Sequence, residues 1–68
     1  MAEVALHVPE MHCKACERSI RAALEPAPGV GEVQVDLSSR RVSVQFDGAA
    51  TDVSAIKRRI EDTGFDVA

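Results

Sequence analysis

The chain has 68 residues, enough for one small domain, because a domain of this size buries only about 60% of the surface that its unfolded chain exposes. Lys and Arg number 8 against 11 Asp and Glu, and this mildly acidic balance weighs against a nucleic-acid-binding protein. No run approaches the roughly 18 apolar residues that span a bilayer, and MAEVALHVPE lacks the features of a signal peptide. We therefore expect one domain over residues 1–68, without membrane insertion, in the cytoplasm, where a dithiol stays reduced.

The first predicted element is a strand in EVALHV, where apolar residues alternate with others and Pro9 ends the run. From Cys16 the apolar spacing becomes that of an amphipathic helix. Pro26 ends this helix, because the residue before a proline avoids the helical region. The alternating runs EVQVDL and RVSVQF follow, and they are close enough in sequence to form an antiparallel hairpin.

A second helix is predicted after the loop DGAATD, with Thr51 or Asp52 as its N-cap. Its expected buried stripe consists of Val53, Ile56 and Ile60. Gly64 suits the left-handed backbone position that often follows a helix. The remaining FDVA is predicted to form a short final strand.

The predicted order β-α-β-β-α-β is that of the ferredoxin-like split βαβ arrangement. Right-handed crossovers place the third strand between the first two. The predicted fold class is therefore α+β, a ferredoxin-like sandwich with a four-stranded antiparallel sheet and both helices on one face.

The segment MHCKAC carries the candidate site, with Cys13 in the loop before the first helix and Cys16 in its first turn. Helix-start amides and the helix dipole favour a thiolate there, and Lys14 adds positive charge. Two thiolates on an exposed loop suit a soft ion such as Cu(I). Zinc would need about two more ligands, and His7 and His12 would both have to reorganise to supply them.

The same Cys-x-x-Cys spacing also occurs in thiol–disulfide oxidoreductases. This chain is short for that fold, and Lys-Ala fills the intervening positions without a proline. No catalytic triad, phosphate-binding glycine loop or paired acid is visible. We therefore expect a protein that is not an enzyme, and a small oxidoreductase is the alternative.

MHCKAC in a chain of this pattern resembles the heavy-metal-associated domain, whose signature is Gly-Met-x-Cys-x-x-Cys, and specifically its small bacterial copper chaperones. The resemblance covers residues 1–68 as a single domain, through PGV, VQVDL, VSVQF and IEDTGFDV. It implies that Cys13 and Cys16 bind Cu(I) in a near-linear arrangement. It further implies thiolate exchange with the soluble domain of a copper-transporting P-type ATPase, and it leaves room for a metal-bridged homodimer.

The resemblance also assigns places to the neighbours of the cysteines. Met11 is the family methionine, which packs in the core instead of binding metal, and Phe65 stands where members carry a Tyr or Lys facing the metal. Glu10 replaces the usual glycine, so it either adds charge beside the site or shows that this position needs no positive φ. His12 replaces a commoner threonine, and it tunes thiolate acidity, accepts a third bond in a copper-bridged dimer, or is simply solvated.

Two further expectations concern partners and cargo. Lys14, Arg18 and Arg21 are predicted to form a basic rim that docks an acidic surface of the ATPase domain, with a solvated helix face as the alternative. The same fold could carry Hg(II), Ag(I), Zn(II) or Cd(II), or be a domain excised from a longer ATPase.

Overall fold

The computed structural model describes all of residues 1–68. In chain order the elements are β1 (Ala2–His7), α1 (Lys14–Leu24), β2 (Val30–Asp36), β3 (Arg41–Phe46) and α2 (Val53–Glu61). Neither helix has the length and apolar character that crossing a membrane requires.

The sheet is antiparallel and has the strand order β1-β3-β2. At its centre Val44 of β3 lies opposite Val4 of β1 and Val33 of β2. The register shifts between Val30 and Val33, at the start of β2. The third strand thus lies between the first two, as the crossover rule predicts.

The C-terminal segment FDVA does not form a strand, so the prediction of a four-stranded sheet is wrong and the sheet has three strands. One backbone hydrogen bond joins the segment to β1, from Ala68 N to His7 O at 2.9 Å. The amide of Asp66 donates instead to Oε1 of Glu10, at 3.4 Å. Because a ladder needs repeated backbone pairing, a single bond does not extend the sheet. Two partly buried side chains of the segment still pack against the core, those of Phe65 and Val67.

The core lies between the inner face of the sheet and the two helices, and no polar side chain is buried in it. Its members are Leu6, Val8, Met11, Ile20, Leu24, Val33, Val42, Val44, Phe46, Ile56 and Ile60. Val53 was predicted to join them, but its side chain is 41% exposed, so that prediction is wrong. It is the first residue of α2, about one turn before Ile56, the first buried residue of the helix.

The helix boundaries follow the sequence signals. Asp52 is the N-cap of α2, and its carboxylate accepts a hydrogen bond from Ala55 N at 2.8 Å. Gly64 follows α2 with a φ of 101°, a conformation that glycine adopts without a steric penalty. At the other helix, α1 ends at Leu24, before Pro26. These features fix where each helix starts and stops, and α1 in particular starts at the cysteines.

Candidate metal site

Residues 8–13, between β1 and α1, form what we call the cysteine loop. Its first two residues, Val8 and Pro9, are called its stem. The stem is held to the rest of the fold, because Val8 N donates to Arg40 O at 2.8 Å. A turn follows in which Met11 N donates to Val8 O at 3.1 Å. Val8 and Met11 are both fully buried, whereas Cys13 is only half-buried. The loop therefore leaves the core and brings its sulfur to the surface.

The two cysteines meet at the start of α1. Cys13 is the N-cap, with extended backbone, and its Sγ accepts a hydrogen bond from Cys16 N at 3.4 Å. The Sγ atoms of Cys13 and Cys16 are 2.8 Å apart, and both thiols are free and half-buried. A side chain at the N-cap folds back over the third helical residue, so this spacing places both sulfurs together. The predicted positions, one before the helix and one in its first turn, are confirmed.

The pKa of the Cys16 thiol lies below its ordinary value of 9.0. The largest cause is the hydrogen bond with the Cys13 thiol, followed by a hydrogen bond from the backbone of His12. Desolvation of the sulfur raises the pKa but is outweighed, and the Cys13 backbone and the charge of the His12 ring lower it further. The thiolate is the form that binds metal, so the fold favours the reactive state of Cys16.

Glu10 stands where the family signature has glycine, and its backbone does not adopt a positive φ, because Arg40 is the only non-glycine residue that does. Of the two interpretations of this substitution, the structure therefore supports a position that needs no glycine. The Glu10 carboxylate reaches the tail at Asp66, and its carbonyl accepts a hydrogen bond from Nδ1 of His12 at 2.8 Å. In the neutral His12 ring this bond leaves Nε2 as an acceptor. His12 is exposed, so the ring is tied to its own loop and open to solvent.

The other predicted neighbours occupy different environments. Met11 is fully buried in the core, in agreement with the place that the family resemblance implies. Phe65 is half-buried and packs against the same core. Lys14 is exposed at the first position of α1 and forms no ion pair with a carboxylate. No group of three or more His, Cys, Asp or Glu side chains lies together as a metal site, and the structure thus offers the two sulfurs as a pair.

The predicted basic rim is smaller than expected. Arg21 is engaged within the fold, since Nε lies 3.0 Å from Glu17 Oε2 and Nη1 lies 3.6 Å from Glu25 Oε2. The same Nη1 donates to Val33 O at 2.7 Å, which links α1 to β2. Lys14 and Arg18 therefore remain as the free cations of this face.

Sequence reasoning missed Arg40, the residue between β2 and β3 that touches the cysteine loop. Its Nη1 donates to Pro9 O at 2.8 Å. The sequence carries one faint signal for it, since the short connection between the strands has no Asn or Gly to take up a left-handed residue. The contact with Pro9 spans 31 positions of sequence and leaves no local pattern.

Comparison with known proteins agrees with the geometry of the site. The heavy-metal-associated domain family matches residues 5–66. The copper chaperone CopZ of Staphylococcus aureus is 39% identical over 67 residues, which cover 98% of each chain.

Solved structures are equally similar. A CopZ metallochaperone superimposes with a TM-score of 0.94 and 37% identity, over 98% of this chain and 100% of that one. A copper-binding domain from HMA7, a P-type ATPase, also gives 0.94 and 37%, over 100% and 92%. The Atx1-Cu(I)-Ccc2a complex gives 0.85 and 35%, over 97% and 90%. The family model matches nearly the whole chain, and the two cysteines of the chain are paired at the start of a helix. The chain therefore belongs to the heavy-metal-associated domain family.

Proposed function

We propose that this protein is a Cu(I) carrier, a single domain over residues 1–68 that binds one ion between Cys13 and Cys16. It delivers the ion to the soluble domain of a copper-transporting P-type ATPase. The observation that carries the proposal is the pair of thiols, 2.8 Å apart at the surface end of α1, with the pKa of Cys16 lowered. We place the carrier in the cytoplasm, because free thiols stay reduced there.

The donor set suits Cu(I) as cargo. Thiolates are soft ligands that select Cu(I), whereas structural zinc takes four ligands. Two metal–sulfur bonds in line, each about 2.3 Å by analogy with zinc–thiolate bonds, hold the sulfurs about 4.6 Å apart. The thiols must therefore separate from 2.8 Å when the ion binds. The Cys13 sulfur is held by a 3.4 Å hydrogen bond from Cys16 N and by the thiol–thiol hydrogen bond, and the bonds to the ion would replace the second of these.

Transfer of the ion is possible because both sulfurs are only half-buried and can be reached by a partner. A thiolate of the partner adds to Cu(I) as a third ligand, one of the carrier's thiolates leaves, and the second exchange completes the handover without any change in oxidation state. The likeness to the Atx1-Cu(I)-Ccc2a complex and to the HMA7 copper-binding domain supports a partner of the same fold. A metal-bridged homodimer is the same reaction halted between two copies of this chain.

The test of the metal is titration of anaerobically reduced protein with Cu(I), Zn(II) or Hg(II) against a chromophoric competitor. We expect one Cu(I) per chain, lost when Cys13 and Cys16 are both replaced by Ser. Tight binding retained by the double variant would refute the assignment of the ligands. Insulin reduction by the wild-type protein would instead support the oxidoreductase alternative.

The partner face is proposed to use Lys14 and Arg18, both exposed and free of ion pairs. Opposite charges on two surfaces speed association, and salt weakens the effect. The Lys14→Glu and Arg18→Glu double variant should slow copper transfer at low salt and less so at high salt. A matched control reverses Lys57 and Arg58 on the exposed side of α2. Equal slowing by both pairs would assign the effect to net charge and not to this face.

A further inference from the structure

Arg40 is the one non-glycine residue of the chain with a left-handed backbone, at a φ of 58°. For an ordinary L-residue this conformation is sterically unfavourable, and Gly, Asn or Asp adopt it at less cost. Backbone preference therefore does not explain an arginine here. The explanation has to come from what its side chain contacts.

Both ends of Arg40 contact the stem of the cysteine loop. Its carbonyl accepts from Val8 N, and its Nη1 donates to Pro9 O, each at 2.8 Å. From the connection between β2 and β3, Arg40 thus holds two successive residues of the stem, Val8 and Pro9. Both bonds join residues more than 30 positions apart in sequence, so neither is a product of local folding.

From this stem the contacts continue toward the sulfur. Val8 and Met11 close the turn of the loop, and the carbonyl of Glu10 accepts a hydrogen bond from the ring of His12. Cys13 follows His12 directly. The position of the stem therefore fixes the direction from which Cys13 approaches Cys16.

We propose that Arg40 is a positioning residue for the copper site, whose guanidinium holds the stem of the cysteine loop so that Cys13 stays beside Cys16. The inference rests on the proposed function as a Cu(I) carrier. Arg40 touches neither sulfur, and it acts through the backbone of Pro9. Loss of its side-chain bond leaves both ligands in place and shortens the residence of the ion.

The experiment uses three variants of the copper-loaded protein. Arg40→Asn removes the guanidinium and tolerates the left-handed backbone, and Arg40→Lys keeps a donor and the charge. Arg41→Asn is the control, because Arg41 is the exposed neighbour with the same charge and makes no side-chain hydrogen bond or ion pair. The readout is the rate at which a chromophoric chelator removes Cu(I).

We expect Arg40→Asn to release copper about twofold to tenfold faster than wild type, the range for one hydrogen bond. Arg41→Asn should match wild type, and Arg40→Lys should restore most of the difference. Release by Arg40→Asn at the wild-type or control rate would overturn the inference while leaving the Cu(I) function intact.

Amide hydrogen exchange in the metal-free protein separates positioning from general stability. Arg40→Asn should speed exchange at Met11, whose amide donates to Val8 O in the turn of the loop, and leave the central-strand amide of Val44 unchanged. Equal acceleration at Val44 would show a structural role only and overturn the proposal. If the wild-type protein binds no Cu(I), the proposed function fails, and the exchange data alone still decide whether Arg40 holds the loop.

Discussion

The N-cap residues of the two helices have nearly the same backbone conformation, but the side-chain atom that accepts the capping hydrogen bond differs. Cys13 caps α1 at φ −140° and ψ 167°, and Asp52 caps α2 at φ −145° and ψ 175°. The carboxylate of Asp52 accepts its amide hydrogen bond at 2.8 Å, but the sulfur of Cys13 accepts its own at 3.4 Å. A carboxylate makes a short, charge-assisted cap, whereas sulfur is a weak acceptor.

This difference shows how one structural position serves two purposes. At α2 the cap stabilises the helix and does nothing else that the structure reveals. At α1 the cap is a metal ligand, which has to leave its amide partner when the sulfurs separate around an ion. A weak cap makes that departure inexpensive, so the helix that carries the site begins with less stability than the helix that does not.

The largest effect is expected when the N-cap of α1 is replaced by the residue that caps α2. We expect Cys13→Asp to weaken Cu(I) binding by more than about a hundredfold, because even changes to residues around a metal ligand cost about that much. The same variant should raise the stability of the metal-free protein, as a carboxylate caps better than a thiol. Competitive Cu(I) titration and urea denaturation measure the two effects, and copper affinity at the wild-type level would contradict the assignment of Cys13 as a ligand.

The converse change removes the strong cap. Asp52→Ala should lower the free energy of unfolding by about 1 kcal/mol, the usual cost of losing an N-cap carboxylate. Copper affinity should be unchanged, because Asp52 lies outside the cysteine loop. Chemical denaturation of the reduced protein tests this, with Asp52→Ser as the variant that keeps a capping oxygen and should lose much less.

A smaller effect is expected from removing the sulfur cap itself. In the metal-free protein Cys13→Ala should cost only about 0.5 kcal/mol, at the lower end of what a lost hydrogen bond costs. Denaturation curves collected beside those of Asp52→Ala give the ratio directly. If Cys13→Ala lowered the free energy of unfolding as much as Asp52→Ala, the thiol and carboxylate caps would be equivalent here.

The smallest expected effect is a dependence on pH. The pKa of Cys16 is lowered in the folded state, so the ionised thiol stabilises the fold. That contribution is complete above the unfolded value near 9.0 and is lost as the pH falls through the lower folded pKa. The melting temperature of reduced, metal-free protein should therefore rise across this window relative to Cys16→Ser, and ultraviolet thiolate absorbance should report ionisation below pH 9.0. Parallel melting profiles of the two proteins would argue against a lowered pKa.

Much of the fold was predictable because the deciding signals are local. Alternation marks the three strands, Asp52 marks the start of α2, and Pro26 and Gly64 mark the ends of the helices. The pairing of Cys13 with Cys16 was predictable for the same reason, since three positions across a helix start are close in any fold.

Apart from the exposure of Val53, the errors depend on distant partners. The segment predicted as the fourth strand makes one backbone hydrogen bond with β1, and the Asp66 amide donates to Glu10, which lies 56 positions away. The reduced basic rim reflects a contact of Arg21 with β2, and the role of Arg40 depends on Pro9. Whether a side chain reaches such a partner is decided by the packed fold, which periodicity along the chain does not contain.

The burial of Met11 limits how often the cysteine loop can leave its packed conformation. Complete burial of a methionine side chain is worth about 1.5–3 kcal/mol, and each 1.4 kcal/mol is tenfold in population. A conformer with this side chain withdrawn should thus exist in no more than about one molecule in ten to one in a hundred, since the cavity left in the core adds to the cost, and relaxation-dispersion NMR is the method that detects such minor states. Because Met11 precedes Cys13 by two residues and its amide closes the turn with Val8, such a conformer would also displace the first sulfur ligand.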